Sequence, residues 1–204
     1  MQPQRLRREA QVERNRGQLL VAARRVFLQR GFHGATLDAI AEEAGFSKGV
    51  VYSQFESKAD LFIALLEARI AERAAQNERV VRETRDPAAA FDALLALAGH
   101  LVAVEPEWAL LVLEFRTHAA RDPALNARYA AAHARTVEGV AQVVSQLLGH
   151  AGIEPAAPPQ TLAALMLAVG AGLTLEKFAR PDPAVAAAAS ALLARAIGVS
   201  KEPA

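Results

Sequence analysis

Three times along this chain an aspartate stands directly before a proline: Asp86-Pro87, Asp122-Pro123 and Asp182-Pro183. An aspartate carboxylate accepts from the unpaired N–H groups of a first helical turn, and a proline at the first helical position sacrifices no hydrogen bond and has its φ preset. Each pair therefore predicts a helix start. Glu105-Pro106 and Pro158-Pro159 mark two more boundaries. Between them apolar residues recur at helical spacing, which predicts helices near 87–104, 107–120, 123–149, 159–179 and 183–197. No stretch shows the sustained alternation of a half-buried strand. The expected fold is all-α, with about nine helices.

The front of the chain is helical as well, in shorter pieces. Between Arg14 and Arg30, Leu19, Leu20, Ala23, Val26 and Phe27 form one stripe that stops before Gly31. Leu37, Ile40, Ala41 and Ala44 follow the i, i+3, i+4, i+7 rule, with Thr36 as N-cap and Asp38 in the first turn. Ser57-Lys58-Ala59-Asp60 has the form of a capping box, with aspartate in place of glutamate or glutamine, and opens a helix reaching about Arg85. Six of the eleven aromatic residues fall between Phe27 and Phe62. A small bundle needs such large side chains to fill its core, so this concentration marks a separate N-terminal unit.

The net charge of +1 hides an asymmetry. Residues 1–33 carry eight arginines against two glutamates, a net of +6, whereas residues 61–204 are net −2. A positive front end suits contact with a polyanion, and a solvated basic tail is the alternative. The chain has no cysteine, which removes disulfides, thiolate nucleophiles and cysteine zinc sites and is compatible with a cytoplasmic location. The basic opening leads into no apolar run of a secretory signal. The apolar stretch Leu162–Leu175 is shorter than the roughly 18 residues of a spanning helix, so no membrane partner is expected.

Within "LDAIAEEAGFSKGVVYSQFESKADL" (37–61), two helix-sized pieces are broken at Ala44-Gly45-Phe46. Gly45 can take positive φ and turn the chain sharply, and Ser47 can cap the second piece. Val51 and Phe55, four apart, point inward. Lys48, Gly49, Val50, Tyr52, Ser53 and Gln54 are left on the outer and flanking faces. Gly49 costs about 1 kcal/mol relative to alanine inside a helix, and a compensation is close approach of the bare backbone to another surface. A helix fits the major groove of B-DNA, where base edges are read. Lys48 could then meet a guanine edge or a phosphate, Val50 a thymine methyl, and Tyr52, Ser53 and Gln54 phosphates. Thr36 and Lys58 sit at helix starts near the same surface. Taken alone, this turn is at least as consistent with an αα-corner whose outer face is merely solvated, since such corners occur in many proteins that bind no nucleic acid.

The stretch from about Arg14 to Leu66 resembles the DNA-binding domain of the tetracycline-repressor (TetR) family. Phe27, Gly31, Phe32, Thr36, Ile40, Ala41, Ala44, Gly45, Ser47, Lys48, Gly49, Tyr52, Phe55, Lys58 and Leu61 match its pattern without a gap. The resemblance covers about a quarter of the chain. It implies a basic N-terminal arm over 1–13, a three-helix helix-turn-helix domain over 14–60 and a helical bundle over 61–204 for ligand binding and dimerisation. It also implies that Thr36, Ser47, Lys48, Gly49, Val50, Tyr52, Ser53, Gln54 and Lys58 face DNA. Val50 stands where Thr or Ser is frequent in the family, Ser53 where an aromatic or Arg is frequent, and Gln54 where His is frequent; these departures bear on base preference rather than on docking. The arm, with Arg5, Arg7, Arg8, Arg14 and Arg16, is a candidate for phosphate or minor-groove contact or else a free tail.

The implied function is a transcriptional regulator, a homodimeric repressor released from a palindromic double-stranded operator by a small apolar or amphipathic effector. The helix from Ser57, common to both domains, is the expected lever. Alternatives are a regulator with no inducer or with a co-repressor, and a helical binding module without DNA activity. In 159–179, Leu162, Met166, Val169 and Leu173 share one side while Ala164, Ala168 and Gly172 line another. A helix apolar on two sides suits either a subunit interface, with the Ala-rich segment 184–196 and Leu192 beside it, or a central core helix. Tyr129, His133 and Thr136 lie on the inward stripe of 123–149, and Trp108, Leu111 and Phe115, with His118 at the edge, on that of 107–120. These seven are the candidate ligand contacts, core packing being the alternative. No His-Glu-x-x-His, Gly-x-Ser-x-Gly or Gly-x-Gly-x-x-Gly pattern occurs, so neither catalysis, nor a metal, nor a cofactor is expected.

Overall fold

The structure is a computed structural model and describes residues 2–86, 89–90, 92–93, 106–180 and 182–197. Among these residues there are eight helices and no strand: α1 Gln2–Gly34, α2 Leu37–Ala44, α3 Lys48–Tyr52, α4 Lys58–Glu83, α5 Pro106–Ala119, α6 Pro123–Ala151, α7 Pro159–Ala179 and α8 Pro183–Ala196. The helix expected at 87–104 falls largely outside the described residues. Its cap is visible: Asp86 accepts from the Ala89 N–H at 3.0 Å. The other two aspartates of Asp-Pro pairs also cap, Asp122 accepting from Ala124 and Leu125 and Asp182 from Ala184. Helix α7 has the bounds that the sequence predicts.

At the front, the arm expected over 1–13 is instead the beginning of α1 from Gln2 onward. Gly31 breaks this helix with φ 68 and ψ 173, at the position where the apolar stripe stops. Helix α2 opens on Thr36, whose hydroxyl accepts from Ala39 N–H at 3.1 Å, and ends in a Schellman motif. Gly45, at φ 70, donates to Glu42 O, and Phe46 donates to Ala41 O. The Ser57 cap has a variant geometry. The Asp60 N–H donates to Ser57 Oγ as in a capping box, but the Asp60 carboxylate accepts a hydrogen bond from the Ser57 hydroxyl rather than from a backbone N–H.

The contacts divide the chain into two compact units, Met1–Arg69 with Glu114–Tyr129, and Ile70–Leu113 with Ala130–Ala204. The first unit is thus larger than the expected 14–60, because its core recruits the end of α5 and the start of α6. Phe27, Phe32, Phe62 and Phe115 are fully buried in it. Phe62 and Phe115 stack at 4.2 Å, while Phe27 meets Phe62, and Phe32 meets Phe115, edge-on at 5.3 and 5.0 Å. The aromatic concentration seen in residues 27–62 is completed by Phe115, and such edge and offset contacts add to the burial of the rings themselves.

The second unit has an aliphatic core of Val144, Leu147, Leu148, Leu162, Met166, Leu193 and Ile197 with Ala90 and Val143. Helix α6 ends on a second Schellman motif, with Gly152 at φ 67 and Ile153 donating to Leu148 O. Helix α7 buries Leu162, Ala163, Met166, Gly170 and Thr174. By length and mean hydropathy it is apolar enough to cross a membrane, longer than the apolar run counted from the sequence, and only 28% of its most apolar window is buried.

Candidate functional site

Helix α3 is only five residues long and is too short to be stable by itself. It is held by Val51, fully buried, and by Phe55 just beyond it, which packs under the guanidinium of Arg16 at 4.9 Å. Anchored from beneath, the helix presents Ser47, Lys48, Gly49, Tyr52 and Ser53 to solvent, with Val50 half-buried. Ser47 does not act as the expected cap. Its backbone occupies the N-cap position, but its hydroxyl makes no cap bond, and only its carbonyl takes part, accepting from Val50 N–H. The Ser53 hydroxyl donates back to Val50 O at 2.8 Å.

A methyl group at Gly49 would find nothing closer than Ser47 Oγ at 4.0 Å. Nothing among the described residues therefore requires glycine there, unlike Gly31, where positive φ combines with a Cβ position 3.0 Å from Glu114 Oε2.

Charge pairing across the helix-turn-helix is the feature that local patterns did not reveal. Asp38 of α2 accepts from Lys48 Nζ through one carboxylate oxygen, and Tyr52 Oη lies 3.4 Å from the other. The hydrogen bond and charge of Asp38 raise the Lys48 pKa above its ordinary value. Beside this pair a cleft of about 550 Å³ opens between α2 and α3, and Arg30, Thr36, Glu42 and Ser47 also line it. The lining thus brings two cations (Arg30 and Lys48), two hydroxyls (Thr36 and Ser47) and two carboxylates (Asp38 and Glu42) to one surface.

Two expected DNA-facing residues, Lys58 and Gln54, are half-buried. Lys58 donates to the carbonyls of Phe32, His33 and Ala35 at 2.9, 2.9 and 3.1 Å and lies over the Phe32 ring, so it closes the corner after α1. An ammonium has three donors, and all three are taken. Gln54 is half-buried rather than outward, and its Oε1 is buried without a hydrogen-bond partner among the described residues.

Opposite Lys58, and unmarked by the sequence reading, Glu114 accepts from the Phe32 and His33 N–H groups at 2.9 and 3.1 Å. A cation from α4 and an anion from α5 therefore hold the two ends of one backbone corner. Asp60 accepts from Arg128 as well as from Ser57; burial pushes its carboxyl up, but these two partners outweigh it and hold the group below its usual value.

The seven candidate ligand contacts are divided. Phe115, His118 and Tyr129 belong to the first unit, where Phe115 is core, Tyr129 is buried 6.1 Å from the Phe115 ring centroid, and His118 is exposed against the rings of Phe32 and His33. Burial raises the Tyr129 phenol pKa, in part opposed by Arg116. Trp108, Leu111, His133 and Thr136 belong to the second unit; Leu111 is buried, the others are half-buried, and the Thr136 hydroxyl donates to Ala132 O. The candidate interface residues Ala164, Ala168, Gly172 and Leu192 are all exposed, Leu192 at 65%. Leu165, Leu175 and Phe178 are exposed on the same helix α7. No group of three His, Cys, Asp or Glu side chains placed to hold a metal occurs among the described residues.

Residues 19–65 match the bacterial regulatory proteins of the tetR family, and residues 87–199, more than half of the chain, match the C-terminal domain of BetI-type transcriptional repressors. The transcriptional activator FasR of Mycolicibacterium smegmatis is 42% identical over 74 residues, 36% of this chain and 34% of FasR. The regulator UidR of Escherichia coli is 31% identical over 137 residues, 66% of this chain and 65% of UidR. The chain spans about a third of the length of the first curated relatives it matches, 34% for FasR. The solved structure of FadR from Bacillus subtilis with stearoyl-CoA aligns at a TM-score of 0.67 with 17% identity, covering 90% of this chain and 98% of FadR, a likeness of fold alone.

Proposed function

The chain belongs to the tetR family of bacterial regulatory proteins, and on that premise we propose that it is a cytoplasmic DNA-binding repressor that leaves a palindromic operator when a small ligand binds. The observation that carries this reading is α3 itself: Val51 and Phe55 are sunk in the core while Lys48, Gly49 and Tyr52 face solvent on a flank where Gly49 has no internal role. Such a flank lets a helix lie close to base edges, with Thr36, Ser47 and Ser53 within the same face for phosphates. Lys58 and Gln54 support this surface from within. The reading is non-catalytic.

Dimerisation is part of the proposal. Helix α7 is apolar on its exposed face, and Leu192 of α8 is similarly uncovered. A second copy of this chain covering both would pair two recognition helices about 34 Å apart, one turn of duplex. Sedimentation at micromolar concentration should give a dimer, and arginine at Leu175 and Leu192 together should give monomers.

For the effector, Trp108, Leu111, His133 and Thr136 are the candidate contacts in the second unit, and an acyl or aromatic compound suits their chemistry. FadR was crystallised with stearoyl-CoA, which makes long-chain acyl thioesters the first probes. The lever expected from Ser57 onward is α4, and α5 is added to it by Glu114. A coupling of about 1–3 kcal/mol is enough to weaken operator binding roughly 5- to 150-fold. The test is footprinting of the region upstream of the chain's own gene, with and without acyl thioesters, using wild type and the Lys48→Ala, Tyr52→Ala double variant. Equal protection by both proteins refutes the α3 flank as the reading surface, and no protection by wild type at any site refutes the DNA reading. Because FasR is an activator, a reporter fused to the protected region decides the sign of regulation.

A further inference from the structure

Asp38 stands in the middle of the surface just described, a carboxylate where a polyanion is to dock. Its side chain is 45% exposed and that of Lys48 69%, so their ion pair is open to solvent and weak enough to exchange partners. Resting on the DNA reading above, we propose that Asp38 is a specificity-determining residue: it holds Lys48 and Tyr52 on the protein and suppresses binding to duplexes that offer phosphates alone.

The chemistry is asymmetric. On an unrelated sequence, Lys48 gives a phosphate its full charge by turning away from Asp38, whose carboxylate then faces the same polyanion without its cation. The exchange replaces one acceptor with another and adds a like-charge repulsion. On the operator, Lys48 or Tyr52 gains a base-edge contact, and the carboxylate itself can accept from an exocyclic amine such as cytosine N4 in the major groove, the one kind of base donor a carboxylate recognises well. Glu42, lining the same cleft, adds to the repulsion of bare phosphate, and Arg30 moderates it. Asp38 therefore lowers affinity for random duplex more than for operator.

The test is an anisotropy titration of the full chain against two duplexes across a range of salt, one recovered by wild type from a randomised library and one a scrambled version of it. Asp38→Asn is expected to bind the scrambled duplex about tenfold tighter and the selected duplex less than about threefold tighter. Its salt slope on the scrambled duplex should steepen by about 0.9, the contribution of one more phosphate contact now that Lys48 is released. In a Lys48→Met background only the relief of repulsion remains, so Asp38→Asn should gain less on the scrambled duplex than it does with Lys48 present, with no steepening of the salt slope. An equal gain on both duplexes, no gain, or a full gain in the Lys48→Met background overturns the proposal. Failure of wild type to enrich any duplex overturns the DNA reading, and this one with it.

Discussion

Replacing Gly49 with alanine should make the protein more stable and worse at its function. Gly49 is the second residue of α3, exposed, free of positive φ, and its Cβ direction is open to 4.0 Å. Alanine therefore meets no steric penalty. It removes conformational freedom from the unfolded chain and gains helix propensity, together about 0.4–1 kcal/mol at a compatible site. At the frayed start of a five-residue helix the lower half of that range applies, about 0.5 kcal/mol, which is a rise of about 1–2 °C in Tm for a chain of this size. The same methyl group, projecting toward the groove, would overpack a close interface by about 1–3 kcal/mol, or roughly 5- to 150-fold in operator affinity. Urea unfolding monitored by circular dichroism and anisotropy on the selected duplex read the two effects separately. A stabilised variant that binds DNA as well as wild type would show that the flank of Gly49 touches nothing, and a destabilised one that the open space around it is misjudged.

Glu114→Ala strips the acceptor from two backbone N–H groups at the α1 corner and should destabilise the chain by about 1–3 kcal/mol in urea titration, with Glu114→Gln milder because one oxygen still accepts. Lys58→Met loses three charge-assisted bonds to carbonyls and should lower stability by at least about 1.5–3 kcal/mol while leaving the salt slope of DNA binding unchanged; a slope flattened by about 0.9 would return Lys58 to the DNA surface. The folded-state value of Asp60 is lowered, so its contribution to stability is complete above the ordinary aspartate value of 3.8 and disappears as pH falls below that through the folded-state value. Asp60→Asn should accordingly flatten the acid limb of a Tm-against-pH profile, and an unaltered limb would dismiss the Ser57 and Arg128 contacts as stabilising.

Helix existence and helix ends were legible in the sequence because they depend on neighbours three or four residues away. Asp122 and Asp182 cap where the Asp-Pro pairs place them, Thr36 caps α2, and Gly31 and Gly45 turn the chain with positive φ. The outward placement of Lys48, Gly49 and Tyr52 followed in the same way from the burial of Val51 and Phe55. Short-range signals misled where a polar side chain had a choice. Ser47 has the identity of a cap without its bond, and the sequence contains no record of the carbonyls that take up Lys58 or of the partial burial of Gln54.

What only the tertiary structure decided is how helices distant in sequence share side chains. Glu114 meets the Phe32 and His33 amides across more than eighty residues, and Phe115 completes an aromatic core begun at Phe27. Asp38 becomes the partner of Lys48 only because the Gly45 turn folds α3 back across the first turn of α2. Periodicity tells which face of each helix is apolar, but the crossing of two helices sets which residues of those faces touch, and that crossing depends on the packing of the whole core.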